Sequence, residues 1–332
     1  VTNTIKVVVT DYIEPDMKWE EEQLAELNVE FRYYQLTFRP MEEVLEKIRD
    51  AHIIVVNMVK LPRELIEKLE KCRLVIRHGV GYDNVDVDAL TDRGIPLAYM
   101  PDYCSDEVAE QAIALIFACA RKIVWSRTVL DESSACGRWN FDAVIPMYRM
   151  KGQTLGIIGC GRIGSLTYLK LKHFGFNFLI CDPYLSTRRV EALGITPVDH
   201  ETVFRNSDYI TIHTPLKDET RYMVNANTLA MMKPTAYIIN TSRGPMVNEN
   251  DLAEALRSKT IAGAAIDVFE KEPPDPSHPL FGLDNVILTP HLSWYSEDAG
   301  WSIRENIIED IRRNIAGQPP RFCVNSSVLE GK

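Results

Sequence analysis

Short apolar runs alternate with amphipathic stretches through the first hundred residues. The runs predict strands at Ile5–Val9, Glu30–Tyr34, Ile53–Asn57, Leu74–His78 and Pro96–Tyr99. Between them, apolar positions three and four apart predict helices at Met41–Arg49, Arg63–Leu69 and Val85–Thr91. Strands that alternate with helices imply crossover connections and a parallel sheet. Ser105 is placed to cap a helix running on to Arg121, with Asp106 and Glu107 suiting the dipole of its first turn. That helix is apolar nearly all round, so it is expected to be buried between layers or domains. Lys122–Arg149 shows no regular pattern, and a stretch of that kind is expected to be functional or interfacial. A second alternating series follows, with strands at Thr154–Ile158, Phe178–Cys181, Tyr209–His213, Ala236–Asn240, Ala262–Val268 and Val286–Thr289. Its helices are Ile163–Phe174, His200–Arg205 and Glu249–Arg257, and a last amphipathic helix spans Ser296–Ile315.

A length of 332 residues exceeds one ordinary core and fits two domains of α/β class. The formal charge of −10 opposes a phosphate backbone and no basic stripe offsets it, so no nucleic-acid partner is expected. The longest wholly apolar run, Ala112–Ala120, is nine residues, against about 20 for a bilayer, so no membrane span is expected. Val1–Asn3 leads directly into the first strand without a basic and then apolar leader, and no signal peptide is expected. The seven cysteines include no Cys-x-x-Cys pair and the histidines are scattered, which predicts reduced thiols in the cytoplasm and no metal centre.

Gly159-Cys160-Gly161-Arg162-Ile163-Gly164 follows the strand Thr154–Ile158 and opens a helix. In that context a Gly-x-Gly-x-x-Gly sequence binds a dinucleotide. Gly159 allows the tight turn, Gly161 lets the backbone approach the pyrophosphate, and Gly164 packs helix on strand. The N–H groups of Arg162 and Ile163 would then meet phosphate oxygens. Asp182, 18 residues past Gly164 at the end of the next strand, suits two ribose hydroxyls and repels a 2′-phosphate, which favours NAD over NADP. Arg188 and Arg189 lie nearby and weaken that preference.

Three ionisable residues follow strands of the same series: Arg243 in Asn240-Thr241-Ser242-Arg243-Gly244, Glu272 before Pro273-Pro274, and His291 in Thr289-Pro290-His291. Ligands of open α/β sheets bind outside the carboxyl ends of the strands, so all three can converge there. Reduction of a ketone by hydride leaves an alkoxide that needs a proton, which a histidine supplies near neutral pH. A carboxylate on the other ring nitrogen fixes the tautomer, and an arginine grips a planar carboxylate and polarises the carbonyl. Singly, each has a duller explanation: a surface charge, a solvated loop acid, a satisfied core histidine.

These blocks, with His78-Gly79-Val80-Gly81-Tyr82-Asp83-Asn84 and Asp267-Val268-Phe269, resemble the D-isomer-specific 2-hydroxyacid dehydrogenases over nearly the whole chain. The resemblance implies two Rossmann-like or flavodoxin-like parallel-sheet domains. A discontinuous substrate domain (1–102 plus 296–332) would hold an inserted NAD-binding domain (103–295), with closure over a cleft between them. It implies that Arg243 binds substrate, that His291 is the acid/base and that Glu272 orients it. It assigns the nicotinamide amide to Asp267 and the substrate carboxylate to the N–H groups of Val80 and Gly81. Val108, His213, Thr214, Pro215, Thr241 and Ser242 complete the expected cofactor site. Residues 122–150 would form the arm of a homodimer.

Gly137-Arg138-Trp139-Asn140, His291-Leu292-Ser293-Trp294-Tyr295-Ser296-Glu297 and Cys323-Val324-Asn325 are similar to the C-terminal binding protein branch of that family and its bacterial relatives. There Trp294 would wall the substrate pocket, with Met58 in Asn57-Met58-Val59 opposite. No basic cluster near Met58 suits a substrate phosphate. The expectation is an NAD-dependent enzyme reducing an unphosphorylated 2-oxo acid to the D-2-hydroxy acid. Two alternatives stay open. One is an NAD(H)-responsive interaction protein like the animal co-repressors. The other is a phosphite dehydrogenase-like enzyme. Formate enzymes of the family carry Gln where Glu272 stands, which counts against that chemistry.

Overall fold

A computed structural model describes residues 4–330, so Val1–Asn3, expected to lead into the first strand, lie outside the described residues. The chain forms two compact units: residues up to Tyr103 with those from Ser296 onward, and Cys104–Tyr295.

The first unit is a five-stranded parallel sheet of β1 (Ile5–Val9), β2 (Val29–Tyr33), β3 (Ile53–Val56), β4 (Leu74–Arg77) and β5 (Leu97–Ala98), in the order β2-β1-β3-β4-β5. All four residues of β3 and of β4 are buried, as helices covering both faces of a parallel sheet require. The long C-terminal helix Glu297–Ile315 belongs here, packing Ile303, Ile307, Ile308 and Ile311 against Val7, Val9 and Ile76. The tail then returns to the sheet edge. Asn325 accepts the Leu97 N–H at 2.8 Å and donates to the Ile95 carbonyl at 3.0 Å.

The second unit is a six-stranded sheet, again wholly parallel. Its strands are β6 (Thr154–Ile158), β7 (Asn177–Cys181), β8 (Tyr209–Ile212), β9 (Tyr237–Asn240), β10 (Gly263–Ile266) and β11 (Val286–Leu288), in the order β11-β10-β9-β8-β6-β7. The connections diverge from β6, leaving a crevice at its carboxyl end beside β8, where such sheets take their ligands.

The helix Ser105–Arg121 packs Leu115, Ile116, Cys119 and Ala120 into the core of this second unit. Its cap is Cys104, which makes no side-chain capping bond, so the expected role of Ser105 is corrected: Ser105 is the first helical residue. The stretch expected to be irregular is also corrected. Lys122, in the left-handed conformation at φ 50°, ends one helix and starts another over Ile123–Ala135. None of that second helix is buried, so it carries no apolar stripe for the sequence to display. Among the described residues no helix is long and apolar enough to cross a membrane.

Candidate active site

The glycine loop leaves β6 at Ile158. Gly159 has φ +88°, and a Cβ there would come within 2.6 Å of the His213 carbonyl oxygen at the end of β8. A Cβ on Gly164 would collide with the Gly159 carbonyl, whereas one on Gly161 would meet nothing within 4 Å. Two glycines are therefore required by packing, and the third faces open space at the start of the helix Arg162–Leu171, where a pyrophosphate fits. Nearby, Thr241 Oγ1 and His213 Nδ1 are buried without a hydrogen-bond partner. Unsatisfied buried atoms of this kind mark a polar group still to arrive, so these residues fit a dinucleotide. Burial holds the His213 imidazole down at about 4, so at neutral pH it is uncharged. Its Nε2 lies 3.0 Å from Thr211 Oγ1.

Asp182 follows β7, with one carboxylate oxygen accepting the Cys160 N–H (2.8 Å) and the other the Tyr184 N–H (2.9 Å). Arg189 folds back onto the loop, donating to the carbonyls of Cys160 and Gly161 (3.2 Å each) and to Ser165 Oγ (2.7 Å). That guanidinium braces the turn, so its expected effect on cofactor preference is weakened. Thr214 is half-buried and Pro215 exposed beyond β8, and Val108 is buried in the first turn of its helix.

Arg243, Glu272 and His291 follow β9, β10 and β11, three neighbouring strands. Asn240 builds the first turn, accepting the Ser242 N–H at 3.0 Å and donating to the Arg243 carbonyl at 2.9 Å, while Ser242 Oγ donates to the Ile212 carbonyl at 2.6 Å. His291 sits at φ +52°, uncommon for a side-chain-bearing residue, with its N–H on the Asp267 carbonyl at 2.7 Å. Its Nδ1 lies 2.7 Å from Glu272 Oε2, and Glu272 Oε1 accepts the Phe269 N–H at 2.9 Å. Burial alone would raise the Glu272 carboxyl. The bond and charge of His291, the Phe269 N–H and the charge of Arg243 outweigh it, so the acid lies below its usual value and is ionised at neutral pH. An ionised acceptor places a proton on Nδ1 and leaves Nε2 as the nitrogen that exchanges one.

Asp267 follows β10, and its carboxylate is fully buried and takes four donors: the Thr289 hydroxyl, the Leu292 N–H (3.1 Å), the Ser293 N–H (3.0 Å) and Ser293 Oγ (2.5 Å). Asp267 so ties down the turn that carries His291. Beyond that turn, Trp294 is half-buried, edge-on to Tyr295 at 5.3 Å.

Val80, Gly81 and Met58 belong to the first unit. Met58 is 43% exposed, following β3, and Val80 and Gly81 are half-buried after β4. Three residues of that edge went unseen in the sequence. Asp11, buried after β1, accepts the Asn57 and Met58 N–H groups at 3.1 and 2.6 Å. Arg77 is buried, donating to Asn57 Oδ1 at 3.3 Å and to the His78 carbonyl, and Glu14 meets His78 Nε2 at 2.9 Å. An arginine closing the apolar run Leu74-Val75-Ile76 was the one available signal.

A family model described as the NAD binding domain of D-isomer specific 2-hydroxyacid dehydrogenase matches residues 113–293. The chain is 38% identical to a D-3-phosphoglycerate dehydrogenase of Methanocaldococcus jannaschii over 97% of its own length, spanning 59% of that protein. It is also 38% identical to a glyoxylate reductase of Thermococcus litoralis, over 87% of this chain and 88% of the other. Among solved structures it is similar to the Aquifex aeolicus D-lactate dehydrogenase complexed with NAD and lactic acid (TM-score 0.84, 26% identity, 98% of each chain).

Proposed function

The chain belongs to the D-isomer specific 2-hydroxyacid dehydrogenase family, and from that premise we propose that it reduces an unphosphorylated 2-oxo acid to the D-2-hydroxy acid with NADH. Its second unit contains the NAD-binding domain of that family. The observation that carries the reading is the 2.7 Å contact between His291 Nδ1 and an ionised Glu272. When bound, the reduced nicotinamide supplies a hydride to the carbonyl carbon. His291 delivers the proton from Nε2 to the carbonyl oxygen as negative charge grows there. Glu272 holds the ring in the productive tautomer and stabilises the charged imidazole before that transfer. Arg243 binds the substrate carboxylate and polarises the ketone. Met58, 43% exposed after β3, is read as an apolar wall, which supports a substrate without a phosphate. Exposed Trp139, Phe141 and Ile145, with the unburied helix before them, support the reading of 122–150 as a homodimer arm.

The test is NADH oxidation with glyoxylate, pyruvate, hydroxypyruvate, a branched 2-oxo acid and the phosphorylated 2-oxo acid corresponding to D-3-phosphoglycerate. Turnover of an unphosphorylated acid, lost by orders of magnitude in His291→Ala with NADH still bound, is the expected result. Fastest turnover of the phosphorylated acid would overturn the substrate class. Tight NADH binding without turnover of any would favour the interaction role, and NAD reduction by phosphite alone the third reading.

A further inference from the structure

Glu272 hangs from a loop, and a loop this close to the chemistry needs an anchor. The segment from Phe269 to Leu280 contains no helix or strand. Its rigidity must therefore come from side chains. One carboxylate supplies two ties to it. Glu249, the first residue of the helix Glu249–Arg257, accepts the Glu270 N–H at Oε1 (2.8 Å), and its Oε2 lies 2.8 Å from His278 Nε2. The two side chains retain only 11% and 7% of their exposure. The Leu280 N–H faces His278 Nδ1 at 3.4 Å, so Nδ1 accepts and Nε2 carries the proton that Glu249 receives. The imidazole also lies edge-on to Phe269, at 5.3 Å and 89°.

The tied peptide adjoins the one that meets Glu272. Phe269 donates its N–H to Glu272 Oε1, and Glu270 donates the next N–H to Glu249. A Cβ on Gly244, the neighbour of Arg243, would collide with the Phe269–Glu270 peptide, so this peptide also packs against the turn that presents Arg243. Resting on the reading of Glu272 as the partner of His291, we propose that Glu249 and His278 are positioning residues. Together they clamp the Phe269–Glu270 peptide from the helix side and so fix the Glu272 carboxylate against His291 Nδ1. Neither touches the reacting groups. Their effect passes through two adjoining peptides and one carboxylate.

The experiment is a double-mutant cycle in the full chain, with steady-state NADH oxidation on whichever 2-oxo acid of the panel is turned over fastest, and NADH affinity by fluorescence titration. Glu249→Ala should lower kcat about tenfold, with KM and the NADH Kd changed less than about twofold. Glu249→Gln keeps an oxygen for the Glu270 N–H but turns its NH2 on the His278 Nε2–H, so its loss should lie between wild type and Glu249→Ala. In a Glu272→Gln background, Glu249→Ala should cost less than about twofold more, because its route is already cut. Should Glu249→Ala fail to fold, His278→Asn enters the same cycle with the same expectation. A kcat within twofold of wild type, or losses that multiply in full with that of Glu272→Gln, overturns the clamp. Wild-type speed in Glu272→Gln alone would instead remove the reading beneath it.

Discussion

Replacing Glu272 by Gln isolates the electrostatic content of the site with little change in shape. The wild-type carboxylate has two commitments, His291 Nδ1 at 2.7 Å and the Phe269 N–H at 2.9 Å, and both partners are donors. An amide cannot serve both. If its oxygen stays on Phe269, its NH2 faces Nδ1 and turns the ring to the tautomer with the proton on Nε2 and no charge to stabilise. If its oxygen faces Nδ1, the NH2 opposes the Phe269 N–H. Either way one charge-assisted bond goes, roughly 1.5–3 kcal/mol, which at about 1.36 kcal/mol per decade is about 10- to 150-fold in kcat. The acid limb should change as well. The folded value of Glu272 lies below its ordinary one, so the pair's contribution is complete above the ordinary carboxylate value and disappears as pH falls through the folded value. The Gln variant should lack that part of the acid-side loss. Initial rates of NADH oxidation across pH, with thermal denaturation in parallel, measure both quantities. A kcat within twofold of wild type at neutral pH would refute the reasoning, because no orientation of the amide preserves both bonds.

Three further outcomes follow from the same geometry. Asp182→Asn removes a negative charge where a 2′-phosphate would sit, and the ratio of kcat/KM for NADPH over NADH should rise about tenfold or more, whereas an unchanged ratio would free Asp182 of that role. Because burial lowers His213 to about 4 from an ordinary 6.5, the unfolded chain takes its proton first as pH falls. Stability of the cofactor-free protein should therefore decline by about 3 kcal/mol across that window on this account, and urea titrations of His213→Asn should show a slope shallower by about one proton. Trp139, 86% exposed on the arm, should matter for pairing: Trp139→Asp should shift sedimentation toward the monomer, and an unaltered assembly state would take the arm out of the interface.

The sheets were legible because strands buried on both faces are continuous apolar runs. Ile53–Val56 and Tyr237–Asn240 are buried at every position and were bracketed to within a residue. Their ends were less legible, since burial outlasts the ladder: Val268 is buried although β10 stops at Ile266. Lys18–Leu24, Thr187–Leu193 and Ala226–Met231 escaped because each buries at most one apolar residue, whereas the equally short Val87–Asp92 and His200–Asn206 bury two. Arg243, Glu272 and His291 were legible as ionisable groups directly after strands, since topology alone sends such positions to the ligand edge. Asp267 satisfies the same rule, but nothing local reveals that the turn through Ser293 folds back to surround it.

Those contacts and the residues missed outright share a physical cause. Where a parallel strand ends, the backbone N–H groups of the following loop lose their ladder partners, yet stay buried and must find acceptors. In this chain carboxylates take that duty repeatedly, Asp11 for Asn57 and Met58, Asp267 for Leu292 and Ser293, and Glu249 for Glu270 among them. The partners are 21 to 47 residues apart, so spacing cannot expose them. An acid beside an active-site block is thus of two kinds, one that meets the reacting groups and one that holds the loop bearing them. The difference shows in what the oxygen not given to the backbone meets. Glu272 turns it to His291, a residue of the site, whereas that of Glu249 goes to His278, on the loop itself.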